Sequence, residues 1–169
     1  LISLIARSHA YMEIEKAKEI LKARWTTVIL TGAGVSAESG VPTFRGGGET
    51  WRGMPFEELS SARMVNEDLP LVWEWFDYRR GVIAGCKPNA AHLAIADAQR
   101  SDRWDEVTLV TQNIDGLHRA AGSTDLIELH GHINTASCLS CGELTSLLTL
   151  PEDERPPRCS AKGSTKTLY

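Results

Sequence analysis

Apolar and polar positions alternate along this chain with two different periods. In "MEIEKAKEILKAR" (12–24), Ile14, Ala17, Ile20 and Leu21 fall on one face at helical spacing, which predicts a surface helix. "TTVIL" (26–30) is apolar and β-branched throughout, as a strand buried in a parallel sheet should be. The Gly-rich segment 46–56, "GGGETWRGMPF", reads as a mobile loop. "LPLVWEWFDYRRGVIAG" (69–85) predicts a helix entered through Pro70 and left at Gly85, and "KPNAAHLAIADAQR" predicts another, N-capped by Asn89. "DEVTLVTQNIDGLH" supplies a second buried strand, Val107 to Thr111, followed by a polar loop, and "LIELHGHI" a third short apolar piece. Strands alternating with helices predict an α/β fold with a parallel sheet. From Ser137 the pattern changes to a Cys-framed, Pro-rich segment, "CLSCGELTSLLTLPEDERPPRC", that resembles an inserted zinc ribbon.

Composition narrows the class. The 169 residues suffice for one ordinary domain, and 42% apolar with 24% charged residues describes a globular chain. A net charge of −4 argues against nucleic acid as a main partner. No apolar stretch is long enough to span a bilayer, and the N-terminal region has no basic segment or small-residue cleavage site of a signal peptide. The expectation is a cytoplasmic protein without direct nucleic-acid or membrane partners. Met12 is a plausible start, with the preceding residues an upstream extension. Four cysteines, Cys86, Cys138, Cys141 and Cys159, then point to metal or free thiols rather than disulfides.

Four stretches carry candidate chemistry. "TGAGVSAESGVPTFRG" (31–46) contains G-x-G-x-x-A at Gly32, Gly34 and Ala37, where missing Cβ atoms let backbone approach a pyrophosphate. Alone, that pattern fits a tight turn as well as a phosphate site. Gly40 and Pro42 stop any helix after about one turn, and the acids some 20 residues on, Glu57 and Glu58, follow a loop, so a standard hydride-transfer enzyme is disfavoured. "TQNIDGLH" (111–118) puts Gln112, Asn113 and Asp115 past the carboxyl end of a strand, where open α/β sheets bind ligands; an Asx-turn is the plain alternative. "LHGH" (129–132) places His130 at another strand end as a candidate base, or as a structural histidine; His130 and His132 are also possible metal ligands. Cys138-x-x-Cys141 followed by Cys159 has most of the spacing of a structural zinc site, but the fourth position holds Lys162. Cys86 reads as a small buried apolar residue.

Taken in order, "TGAGVSAESGVPTFRG", "PNAAH", "TQNIDGLH", "ELHG" and C-x2-C resemble the bacterial-type sirtuin family of NAD-dependent protein-lysine deacylases, over residues 14 to 161. The resemblance implies a partial Rossmann-like parallel sheet with helices, plus an incomplete small zinc-ribbon insertion. It implies an NAD-binding unit over 1–136, a partial zinc segment over 137–162 and an unrelated tail over 163–169. Gly32, Ala33, Gly34, Ser36 and Ala37 match residues around the phosphates and ribose of NAD. Phe44 and Arg45 match a loop that shields and orients the reacting sugar, and Gln112, Asn113, Ile114 and Asp115 match the ribose and nicotinamide pocket. His130 matches the general base, with Asn113 and Arg45 as further catalytic positions.

The same resemblance implies that NAD is a co-substrate and that acyl-lysine proteins are the partners. Nicotinamide leaves the anomeric carbon, the acyl oxygen attacks it, and His130 takes a proton from a ribose hydroxyl. Family members that prefer acidic acyl groups carry Tyr-x-x-Arg; here Phe76 and Arg79 hold those positions, so the substrate is an acetyl or acidic-acyl lysine. Zinc, held by Cys138, Cys141 and Cys159, is the implied structural metal. The family pattern stops near Lys162, and the later strands of complete members have no counterpart. The chain is therefore expected to be truncated and inactive by itself, as after a frameshift or gene-model error. The alternatives are a non-catalytic NAD- or ADP-ribose-binding fragment, or an NAD-dependent protein ADP-ribosyltransferase.

Overall fold

A computed structural model describes residues 15, 18, 19, 26–43, 50–138 and 141–148. Glu15, Lys18 and Glu19 are helical, with Lys18 Nζ 2.8 Å from Glu15; Ile14, Ala17, Ile20 and Leu21 lie outside the described residues. Strand β1 (Thr26–Thr31) leads through Gly32 into a seven-residue 3₁₀ helix (Ala33–Ser39). A two-residue strand β2 (Thr50–Trp51) turns back into β3 (Met54–Pro55). Three helices follow, α1 (Phe56–Leu59), α2 (Ala62–Glu67) and α3 (Leu69–Ala84). The chain continues through α4 (Ala90–Arg100), β4 (Glu106–Thr111), α5 (Leu117–Ala120) and β5 (Leu126–Glu128). It ends, among the described residues, in β6 (Thr135–Ser137) and β7 (Leu144–Ser146). No helix among the described residues is long and apolar enough to cross a membrane.

The main sheet has the order β1-β4-β5 and is parallel throughout, with Thr26–Thr31 matched residue for residue to Glu106–Thr111. The α/β expectation therefore holds. Alternation assigns Ile29, Thr31, Leu109 and Thr111 to one face and Val28, Leu30, Val110 and Ile127 to the other. The first face is covered: Leu109 is fully buried and Thr111 nearly so.

Helix α3 organises the apolar interior. Asp68 caps it by accepting the Leu71 N–H at 3.1 Å, and Pro70 sits in its first turn, where its missing N–H costs nothing. Trp73 packs with Ala136, Cys138 and Leu147; Ile83 with Val41, Leu117 and Ile133; Trp75 with Phe56 and Leu59. One helix thus joins the sheet unit, the β6–β7 hairpin and the small helical module. Each such fully buried apolar side chain contributes roughly 1.5–3 kcal/mol.

Within the segment read as a loop, 46–56, residues 46–49 lie outside the described residues, and those from Thr50 form a hairpin and the start of a helix instead. Arg52 (φ 51) and Gly53 (φ 81) form a two-residue turn with both central residues in the left-handed region, the geometry that fits hairpin twist. The Arg52 guanidinium lies 4.3 Å from the Trp51 ring centre, and Trp51 packs 5.8 Å from Trp75. That aromatic packing offsets the cost of a non-glycine residue at positive φ.

Candidate functional site: a strand-end cavity over a buried polar layer

The carboxyl ends of β1 and β4 carry paired threonines rather than apolar residues. Thr31 Oγ1 donates to Thr111 Oγ1 at 2.8 Å, and both side chains are buried. Thr111 Oγ1 also accepts the Asn113 backbone N–H at 3.1 Å. Past Thr31 the chain turns into the 3₁₀ helix, whose exit at Gly40 (φ 88) needs the left-handed conformation glycine adopts without strain. The helix ends at Gly40 as expected, but it runs about two turns rather than the one expected, because its tighter 3₁₀ winding takes only three residues per turn.

Beneath this turn lies a cluster of polar side chains. Ser36, wholly buried, donates to Asp115 Oδ2 at 2.7 Å. It receives Asn113 Nδ2 at 3.1 Å and has His92 Nε2 at 3.3 Å. Asn113 Nδ2 also donates to the Gly32 carbonyl at 3.1 Å, tying the strand-end loop to the Gly-rich turn. Asp115 Oδ1 accepts the Leu117 N–H at 2.9 Å and so opens α5. Asn89 caps α4, accepting from Ala91 and His92, and donates its amide to the Val35 carbonyl at 2.7 Å. Its own N–H and side-chain Oδ1 lie 3.2 and 3.0 Å from His92 Nδ1, so cap and ring hold each other while His92 Nε2 faces Ser36.

His92 and His118 pack with ring centres 4.6 Å apart, both essentially without solvent contact. Burial pushes the His92 imidazole below its usual range, with Asp115 partly opposing. Burial pushes His118 down as well, its neighbour His92 adds to that, and Asp115 opposes. Both rings are neutral at pH 7, so this layer can hold its hydrogen bonds without buried cations.

Above the layer opens a cavity of about 730 Å³. Its walls include Ala33, Gly34, Gln112, Asn113, Ile114, Asp115, Phe76, Arg79 and His130. Four segments far apart in sequence thus meet there, and the volume suits a sizeable small molecule. His130 is exposed, and its Nδ1 lies 2.9 Å from the Gln112 carbonyl. A carbonyl can only accept, so Nδ1 carries the proton of the neutral ring and Nε2 keeps the lone pair a base needs. Arg79 stacks near Trp75 and Phe76, at 5.6 and 5.3 Å from the ring centres. A second, mainly apolar cavity of about 550 Å³ shares Phe76, Ile114 and His130 as walls.

Gly32 and Ser36 stand behind the cavity and not on its wall, and Ala37 is exposed beyond it. Phe44, Arg45 and Cys159 lie outside the described residues. Cys138 and Cys141 flank the turn between β6 and β7, where the Gly142 N–H donates to the Cys138 carbonyl at 2.7 Å. Among the described residues no group of three or more His, Cys, Asp or Glu side chains is placed to hold a metal, so His130 and His132 are not gathered with these cysteines. His132 has another place: its Nδ1 accepts the Asn134 N–H, and its ring fills the space where a Cβ on Gly116 (φ 73) would sit.

The residues that sequence reasoning left without a role are Thr31, His92, Thr111 and His118. A signal existed: His92 and Ala96 are four apart on the inward face of α4, and both are fully buried. A histidine in phase with a core alanine marks a buried polar site.

The Sir2 family model matches residues 32–167, and the chain belongs to that family. The "NAD-dependent protein deacylase 1" of Caldanaerobacter subterraneus subsp. tengcongensis is 45% identical over 153 residues, covering 90% of this chain and 62% of that protein. A crystal structure of a Sir2 homolog–NAD complex superposes with TM-score 0.78 at 37% identity, covering 91% of this chain and 59% of that one. A Sir2–p53 peptide–NAD+ structure gives TM-score 0.72 at 27% identity, covering 89% and 60%. The chain thus spans less than two thirds of the length of the proteins it matches here.

Proposed function

We propose that the cavity is the NAD-binding half of a protein-lysine deacylase site, with His130 as its general base. The observation that carries this reading is the 2.9 Å contact of His130 Nδ1 with the Gln112 carbonyl. Gln112 holds the proton on Nδ1, and the same ring walls a cavity lined by Asn113, Asp115 and the Gly-rich turn. NAD supplies an electrophilic ribose carbon once nicotinamide leaves. The residues present fit it: backbone at Ala33 and Gly34 and the side chains of Gln112, Asn113 and Asp115 offer donors and acceptors to sugar hydroxyls and a carboxamide. Ser36 and His92 keep Asn113 and Asp115 oriented from below. His130 takes the proton from a ribose hydroxyl, and Phe76 with Ile114 keeps water from the reacting end.

The substrates in this reading are acyl-lysine proteins; that relatives are named protein deacylases and one neighbour holds a p53 peptide supports a protein substrate. Arg79 offers a guanidinium to an acidic acyl group, while Phe76 offers no hydroxyl beside it. We also assign zinc to Cys138, Cys141 and Cys159. The spacing puts Lys162 where a fourth cysteine would fall, so three thiolates would hold the ion, at lower affinity than a four-ligand site.

The test has two parts. The chain should bind ADP-ribose in calorimetry. Extended with the C-terminal region of a relative, it should release nicotinamide and deacylate an acetyl-lysine peptide in an NAD-dependent manner. His130→Ala in the extended protein should lower turnover by at least about a hundredfold while leaving ADP-ribose binding in place. Undiminished turnover in a folded His130→Ala variant would remove His130 from the chemistry.

A further inference from the structure

We propose that His118 is a positioning residue for the Gln112–Asp115 segment, acting through two threonine hydroxyls; this rests on the reading of the cavity as a nucleotide site. His118 is 2% exposed and does not line the cavity. Its Nε2 lies 2.9 Å from Thr31 Oγ1. The Thr31 hydroxyl proton goes to Thr111 Oγ1, so Thr31 can only accept from the ring, and His118 must carry its proton on Nε2. Nδ1 is then a bare acceptor, and it has no hydrogen-bond partner among the described residues. Thr111 Oγ1 in turn accepts the backbone N–H of Asn113, whose side chain holds Gly32 and Ser36.

The result is a relay from α5 through β1 and β4 to the cavity floor. Its far end sets the main chain of the residue that joins the Gly-rich turn to the strand-end loop. A histidine suits the near end because it supplies one donor while staying uncharged: burial and the adjacent His92 both disfavour its cation. An unpartnered Nδ1 lone pair in the interior has a cost, and its retention is explained if the ring is there for the Nε2 donor.

The experiment compares three single variants and one double. His118→Phe keeps a ring and removes the donor, His118→Gln keeps an N–H near the Nε2 position, and Thr31→Val removes the receiving hydroxyl with little change of shape. Each folded variant is titrated with ADP-ribose by calorimetry. Amide exchange is followed at Asn113, with Leu109 in the same strand as reference. His118→Phe and Thr31→Val should each weaken ADP-ribose about five- to tenfold, the double variant should be no weaker than the weaker single, and His118→Gln should restore most of the affinity. Exchange at Asn113 should accelerate in His118→Phe more than at Leu109 and slow again in His118→Gln. Additive losses, or equal acceleration at both amides, would overturn the relay and leave His118 as a packing residue. Should His118→Phe not fold, Thr31→Val and His118→Gln decide by the same two readouts. If the unaltered chain does not take up ADP-ribose, the nucleotide reading fails, and the exchange pattern alone decides whether His118 positions the loop.

Discussion

The two faces of the β1-β4-β5 sheet are built on opposite logic. Toward α4 and α5, the strand ends present Thr31 and Thr111, and the layer they meet contains Ser36, His92, Asp115 and His118, all buried. On the reverse face, Leu30, Val110 and Ile127 form an apolar row across all three strands, yet Leu30 is 63% exposed and Ile127 50%, with Val28 and Leu129 exposed beside them. The polar side is dry and the apolar side is wet. Burial of polar groups is tolerable only where each finds a partner, and the site face achieves this almost completely. It leaves the His118 Nδ1 and few others without one among the described residues. An apolar row of this kind, by contrast, gains little until something covers it. Position in the sheet, not residue polarity, decides which face is functional.

The comparison is broken most strongly by truncating one side chain on each face. Leu109→Ala, on the covered face at full burial, should cost about 2–5 kcal/mol in denaturant unfolding. A loss under 1 kcal/mol would mean that this face is not packed as described.

Acid should expose the second difference. For His92 and His118 the folded state holds the proton more weakly than the unfolded chain does. Above the ordinary value of 6.5 both states are neutral and these rings contribute no pH dependence. As pH falls below it, the unfolded chain takes up protons that the folded state refuses, so stability declines, at up to about 1.4 kcal/mol per pH unit for each ring. Denaturation midpoints at pH 7.5 and 5.5 measure this, and His118→Gln should remove part of the slope. A midpoint unchanged between those values would place both rings in contact with solvent.

The smallest effect belongs to the open face. Leu30→Thr should change stability by no more than about 0.5 kcal/mol, while lowering the binding of a hydrophobic dye and any self-association seen by light scattering. A loss of 2 kcal/mol would show that this row is covered in solution.

Much of the sheet was legible because its strands are short β-branched runs bounded by turn residues, and the cavity because four motifs recur in a known order. "TVIL" and "VTLV" announce strands on their own. Which side of them faces solvent is not written in either run, since each carries aliphatic residues on both faces and only the placement of α4 and α5 decides. The Arg52-Gly53 turn was missed for a related reason: an arginine at positive φ is disfavoured locally and is held by Trp51, which packs in turn on Trp75, 23 residues beyond the arginine. The histidine pair was hidden because each ring sits in its own motif. What makes them a unit is a contact between α4 and α5 that neither motif specifies.

The bonds that bind Thr31, Ser36, His92, Thr111, Asp115 and His118 span 56 to 87 residues of sequence. During folding, each requires closure of a long loop before it returns anything, whereas the Asn89 cap and the Arg52-Gly53 turn can form among near neighbours. The floor of the cavity is therefore a late event on the way to the native state. A chain can have its helices capped and its short hairpin turned before it has a site; and a substitution in that floor is expected to register chiefly in how fast the molecule comes apart, not in how fast it comes together.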